Sequence, residues 1–267
     1  MWVNSMNDVN VLKNNGVNLE ASLEYLGDME TYDDTLKEFL GLVDGKLSEL
    51  KKYKEAHDMA NYAIHAHSLK SDARYLGFTS VGEIALSHEM AGKEGREDFV
   101  IQNYDAFVNA VNNMVRVAKE YLNDNESVNT ISHQEEVIVI NEEQKPSILV
   151  ADDSDIVRNF ITKMCGNDYN IVLATDGQKA IEELEKENNI KCILLDLNMP
   201  NVDGFRVLEY LQSNNLFNKY PVSIITGADD RETITDAFKY PIVDMLNKPF
   251  NERDARRIIE RTISYGK

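Results

Sequence analysis

Cysteine is almost missing from this chain of 267 residues: there are two, Cys165 and Cys192, both inside apolar segments and without metal spacing. That excludes a disulfide framework and a thiolate zinc site, and leaves two buried reduced thiols. Long hydrophobic runs are missing as well. No stretch of about 18 apolar residues occurs, and the opening MWVNSMNDVNVLKNNG has no basic start followed by an apolar run. We therefore expect no membrane insertion and a cytoplasmic protein. Positive charge is scarce, with 28 Lys and Arg against 46 Asp and Glu and a net charge of -18. Binding a phosphate backbone needs clustered cations, so nucleic acid is not expected as a partner.

What is present suffices for two domains, since 43% hydrophobic and 28% charged residues is a globular balance. The net charge is -8 over residues 1–123, -5 over 124–145 and -5 over 146–267. The middle segment, DNESVNTISHQEEVIVINEEQK, is the most acidic per residue and reads as a linker. Its VIVI, Val137 to Ile140, is either a short strand lying on a domain or a sticky patch in a solvated tether.

Before the linker, apolar residues recur at helical spacing: Leu36, Phe39, Leu40, Val43, Leu47 and Leu50, then Tyr104, Phe107, Val108, Val111, Val115, Ala118 and Leu122. Between them Met59, Tyr62, Ala66, Leu69, Ala73 and Leu76 step by three and four up to Gly77, a helix stop. We expect an all-helical bundle of four long helices with a short leading one. After the linker, short apolar runs alternate with amphipathic segments: SILVA, NIVLA, CILLD, VSIIT and VDMLN. Strands without polar alternation belong to a parallel sheet covered on both faces, so this half is a doubly wound five-stranded α/β domain.

In such sheets the site lies beyond the carboxyl ends of the strands. The first run ends in Asp152 and Asp153, the third in Asp196, the fourth in Thr226, and the fifth in Lys248 before Pro249. Three carboxylates brought together repel one another and invite a hard divalent cation, Mg²⁺ rather than zinc. Asp196, at a buried strand tip, could then attack phosphorus and form an acyl phosphate. Lys248 and Thr226 would hold the remaining phosphoryl oxygens.

ILVADDS, CILLDLNMPNVDGFRVLEYL, SIITG and NKPF resemble the response-regulator receiver domain over nearly all of residues 146–267. The resemblance implies that Asp196 is the phosphoacceptor and Asp153 a direct Mg²⁺ ligand assisted by Asp152. It also implies that Asn198 is a ligand through its backbone carbonyl, Thr226 the switch hydroxyl, Lys248 the phosphate-binding lysine, and Lys248–Pro249 a cis peptide. One position departs from the pattern: Met245 stands where the family commonly has an aromatic ring, so the usual ring movement cannot occur in its usual form.

The helical half holds two histidines two residues apart, in AIHAHSLKSDARYLGF. On a helix, His67 lies about 130° from the centre of the apolar stripe and is expected to face solvent. Its neighbours at helical spacing are Ala63, Ile64, Lys70, Ser71 and Arg74. A phosphoryl-accepting imidazole needs exposure, a nearby cation and small neighbours that admit a partner, and His67 has these in Lys70, Arg74, Ala63 and Ser71. His57, His65, His88 and His133 lack such a setting and read as structural or solvated.

The stretch also resembles the histidine phosphotransfer (HPt) domain, through His67, Leu69, Lys70, Leu76 and Gly77, with LEYLGDMETYDDTLKEFL fitting the family's first helices. The likeness covers about residues 17–122 and implies that His67 is a phosphoacceptor. Ser71, where that family usually has glycine, is expected to slow transfer. GKEGRED at residues 92–98 is not a phosphate-binding loop, and no glycine-rich nucleotide motif occurs. Phosphate is therefore expected from outside, and no DNA-binding output domain is read on either side. The combination implies a two-component phosphorelay intermediate, passing phosphoryl groups between Asp196 and His67 with Mg²⁺. Its partners would be a sensor histidine kinase and other receiver or HPt proteins, with room for a homodimer through the receiver. The rival expectation is a phosphorylation-controlled interaction or dimerisation module whose bundle is only a binding surface.

Overall fold

In the computed structural model, residues 7–122, 145–186, 189–227 and 231–265 are described. The VIVI segment and His133 lie outside them. Six helices make up the first half: α1 (Val9–Asn14), α2 (Leu19–Leu26), α3 (Met29–Glu55), α4 (Met59–Tyr75), α5 (Thr79–Lys93) and α6 (Glu97–Tyr121). Two short helices therefore lead the four long ones, where the apolar periodicity suggested one. Asn18 and Asp28 divide the leading segment, each capping the helix after it through its side chain.

The long helices pack in a closed cycle, α3 on α4, α4 on α5, α5 on α6 and α6 on α3. The α4–α5 seam is the tightest, because small residues line it. A Cβ on Gly92 would lie 2.9 Å from the Ala63 Cβ and 2.9 Å from the Met59 carbonyl oxygen. Asp58 starts α4 by accepting from the Asn61 amide at 3.1 Å. Its end is set by Gly77, which takes a φ of +78° that a side chain would resist.

The second half alternates β1 (Ser147–Ala151), α7 (Asp155–Cys165), β2 (Asn170–Ala174), α8 (Gly177–Glu185), β3 (Ile190–Asp196), α9 (Gly204–Ser213), β4 (Val222–Gly227), α10 (Arg231–Ala237), β5 (Asp244–Lys248) and α11 (Glu252–Tyr265). All strand pairs are parallel, in the order β2-β1-β3-β4-β5. β1 and β4 are buried throughout and β3 nearly so, which is why they read as unbroken apolar runs. Leu149, Ile193, Leu195 and Ile224 pack with Ala180, Leu184, Val207, Leu208 and Leu211 of α8 and α9 on one face. Ile148, Val150, Cys192 and Leu194 pack with Ile156, Phe160, Ile161, Ile258 and Ile259 of α7 and α11 on the other. Cys165 and Cys192 are free and buried.

That second core runs on into the helical half. Tyr75, at the end of α4, is fully buried. Its ring centroid lies 5.9 Å from that of Phe250, edge-on, and 6.4 Å from that of Phe160, and its hydroxyl accepts from the Phe250 amide at 3.2 Å. Beside this aromatic junction α3 meets α7, through Glu38 with Asn159 and Asp34 with Lys163. The polar face of α4 is thereby laid against the carboxyl edge of the sheet.

Among the described residues no helix is long and apolar enough to cross a membrane. Replacing Gly92 by Val overpacks the α4–α5 seam and should cost about 1–3 kcal/mol, seen as a lowered midpoint in thermal unfolding of the full chain.

Candidate functional site

Four of the five strands, all but β2, deliver polar groups to the same edge where their apolar runs stop. Asp152 follows β1, and Asp196 and Lys248 end β3 and β5; all three are buried. Gly204 lets α9 start against the tip of β3, where a Cβ would come within 2.2 Å of the Asp196 carbonyl oxygen. Oxygens of Asp152, Asp153 and Asp196 lie within 4.8 Å of one another. Lys248 Nζ donates to Asp196 Oδ2 and forms an ion pair with Asp152 Oδ2 at 2.8 Å, next to the cis Lys248–Pro249 bond.

The electrostatics follow from packing three acids around one cation. Burial, then Asp196 and Asp152, push the Asp153 carboxyl well above the ordinary range. Burial also raises Asp152, with Lys248 working against it. For Lys248, burial favours the neutral amine, but Asp152 and Asp196 outweigh it and its pKa rises. One ammonium does not balance three carboxylates. Asp153 Oδ1 is buried without a hydrogen-bond partner, an oxygen left for a hard cation, so the donor set fits Mg²⁺. Asn198 is half-buried and its amide donates to Asp196 Oδ1 at 3.0 Å. Thr226 is buried and its hydroxyl donates to the Gly227 carbonyl at 3.3 Å. Met245, in β5, is half-buried and packs against the α8–α9 core.

His67 is not solvent-facing as its helical position suggested; it is 2% exposed. The apolar stripe marks only the side of α4 turned to its own bundle, and the polar side is covered by α5 and by the second half. His67 Nδ1 and Glu89 Oε1 of α5 are 2.9 Å apart. Lys70 and Lys93 also bridge Glu89, at 2.7 and 2.9 Å. Burial alone would raise the Glu89 carboxyl, but His67, Lys70 and Lys93 hold it well below the usual range. With its proton on Nδ1 the ring donates a hydrogen bond to the ionised Glu89, and the lone pair of that tautomer lies on Nε2. That Nε2 is buried and has no hydrogen-bond partner.

The ring meets the sheet edge at Gly227, next to Thr226. A Cβ there would lie 3.8 Å from His67 Cε1 and 3.4 Å from Lys70 Nζ. Lys70, Ser71, Arg74 and Tyr75 of α4 line one side of a narrow crevice, and Gly227, Lys248 and Pro249 the other. Three cations thus border it, drawn from both halves. The sequence reading missed Glu89, which lies 22 residues beyond His67 on the next helix, a distance no helical period reports.

The other histidines do different work. His65 stacks on Tyr53 with centroids 5.0 Å apart, and burial lowers its pKa. His88 stacks on Phe107 and meets the Tyr62 hydroxyl, and burial pushes it down to about 4. His57 is exposed and pairs with Glu97.

Residues 148–260 match the response regulator receiver domain family. Two-component response regulator ORR3 of Oryza sativa is 26% identical over 122 residues, 45% of this chain and 93% of its own length. Transcriptional regulatory protein SrrA of Staphylococcus aureus is 31% identical over 122 residues, 44% of this chain and 49% of its own. Among solved structures, chemotaxis protein CheY4 of Vibrio cholerae is 23% identical over 44% of this chain and 98% of its own, with a TM-score of 0.41. The C-terminal half is therefore a receiver domain of two-component signalling, which implies dealings with histidine kinases or phosphotransfer partners.

Metal-free protein should gain stability as pH falls from 7 towards 5. Asp153 binds its proton more readily folded than unfolded, and its charge is destabilising above that range. Asp153→Asn should raise metal-free stability at neutral pH and flatten the pH profile, and the stabilisation by Mg²⁺ expected of the wild type should be lost, both read from thermal unfolding.

Proposed function

We propose that this chain is a phosphorelay intermediate, in which Asp196 and His67 exchange a phosphoryl group within one molecule. The observation that carries this reading is the meeting of His67 and the receiver edge at Gly227, with Lys70 and Lys248 lining the same crevice. The helical half, residues 1–123, is read as an HPt-like four-helix bundle and 124–145 as its linker to the receiver at 146–267.

In this scheme Asp196 takes phosphate from an outside donor, a sensor kinase or another phosphotransfer protein. Asp152, Asp153, Asp196 and the Asn198 carbonyl would hold Mg²⁺, which when bound neutralises charge on the phosphoryl oxygens. Lys248 and Thr226 bind and orient that group from the receiver side, and Lys70 from the bundle side. The Nε2 lone pair of His67 forms the new N–P bond while the O–P bond to Asp196 breaks. The electron pair returns to Asp196 as carboxylate. Glu89 holds the Nδ1 proton throughout and stabilises the cationic ring that results, and the reverse transfer uses the same groups. A soluble, cytoplasmic setting suits these partners.

A second reading draws on the burial of His67: the helical half is a lid on the receiver, and phosphorylation of Asp196 releases it to expose a binding surface. The two readings part at His67. With Mg²⁺ and a small acyl phosphate donor, wild type should acquire base-stable, acid-labile phosphate. Asp196→Asn and His67→Gln should each reduce it by at least a hundredfold. Base-labile label alone, unchanged by His67→Gln, would favour the lid.

A further inference from the structure

Asp72 lies five residues beyond His67 on α4 and is fully buried, although it is an acid on the helix's polar side. Two partners hold it. Lys46 of α3 donates to its Oδ2 at 2.5 Å, and also to Ser68 Oγ at 2.9 Å. The hydroxyl of Ser154, in the receiver, donates to its Oδ1 at 3.0 Å. Ser154 is itself fully buried and caps α7. It directly follows the acidic pair, and its amide donates to Asp152 Oδ1 at 2.9 Å.

We propose that the Asp72–Ser154 bond, backed by Lys46, is the register pin by which the His67 face recognises its own receiver in preference to others. A buried carboxylate has given up water on both oxygens. Within the bundle Lys46 satisfies one, and only a donor at the position of Ser154 satisfies the other. A receiver lacking that hydroxyl leaves Oδ1 stripped of water and unpaired, which weakens docking roughly ten- to a hundredfold. The contact between Lys163 and Asp34, at 3.0 Å, is about half-exposed on both sides and discriminates little. The Tyr75 junction supplies apolar burial, and the one donor it takes, the Phe250 amide, is a backbone group that does not depend on side-chain identity. Asp72 thus acts as a positioning residue: it fixes where α4 lies along the strand ends, and so where His67 meets Gly227. The selectivity for transfer rests on the phosphorelay reading, whereas the pin itself rests only on the packing.

The test uses full-length chains. A His67→Gln chain phosphorylated on Asp196 serves as donor to an Asp196→Asn chain, which measures transfer between molecules; the unaltered chain measures transfer within one. Hydrogen exchange of the α4 and α7 amides reports docking independently of any phosphate. Asp72→Ala and Ser154→Ala should each raise exchange in both helices tenfold or more. Each should also shift the ratio of internal to intermolecular transfer at least tenfold towards the latter. The double variant should be no worse than either single, which separates the bond from the lost helix cap, and Ser154→Thr should restore the wild-type values. Wild-type exchange and transfer ratio in both single variants, or strictly additive effects in the double variant, would overturn the pin. If no chain forms histidyl phosphate, the relay reading and the transfer selectivity fall together, and exchange in the same variants decides whether the pin stands.

Discussion

A polar helix face has been buried against the acidic end of a parallel sheet, and the charges brought there are largely matched, with Asp153 Oδ1 left over. Asp72 takes Lys46 and Ser154, while Glu89 takes His67, Lys70 and Lys93. Lys248 sits between Asp152 and Asp196. Removing one member from such a set strands the others away from water, which is far costlier than losing an exposed pair. The position of α4 on the receiver is set by these pairings and by the Tyr75 aromatic junction together.

This arrangement gives His67 an unusual balance. Its ring is closed in on the bundle side by Glu89 and on the receiver side by Gly227. Closure keeps bulk water from the ring and brings Lys70 and Lys248 to one crevice. The same closure restricts outside partners. Any protein that engages the receiver edge has to compete with the chain's own helix for it. Exchange between docked and undocked forms is thus the step on which traffic with other proteins would depend.

Some of this was legible in the chain. Apolar runs without alternation announced a sheet covered on both faces, and the polar residues closing four of the runs fell at the carboxyl edge because strand direction is common to all five. The Asp152, Asp153, Asp196 and Lys248 group follows from that regularity. The helical half was legible as helices but not in its leading segment, where two short helices, capped by Asp8 and Asn18, stand in place of one. Reading His67 as solvent-facing failed for a definite reason. Hydrophobic periodicity reports the face a helix turns to apolar neighbours, and the second face of α4 is buried against polar ones.

By itself the sequence determined the class of each half, the strand tips that carry the carboxylates and the lysine, and the helix that carries His67. Those are consequences of local period and of backbone direction, which the order of residues encodes. Only the tertiary structure decided that Glu89 meets Nδ1 of His67, that Gly227 receives its ring, and that Asp72 reaches Ser154 across 82 residues of chain. These are contacts between elements whose separation in sequence bears no relation to their separation in space, and they form because buried charges have to be matched wherever the fold brings them together.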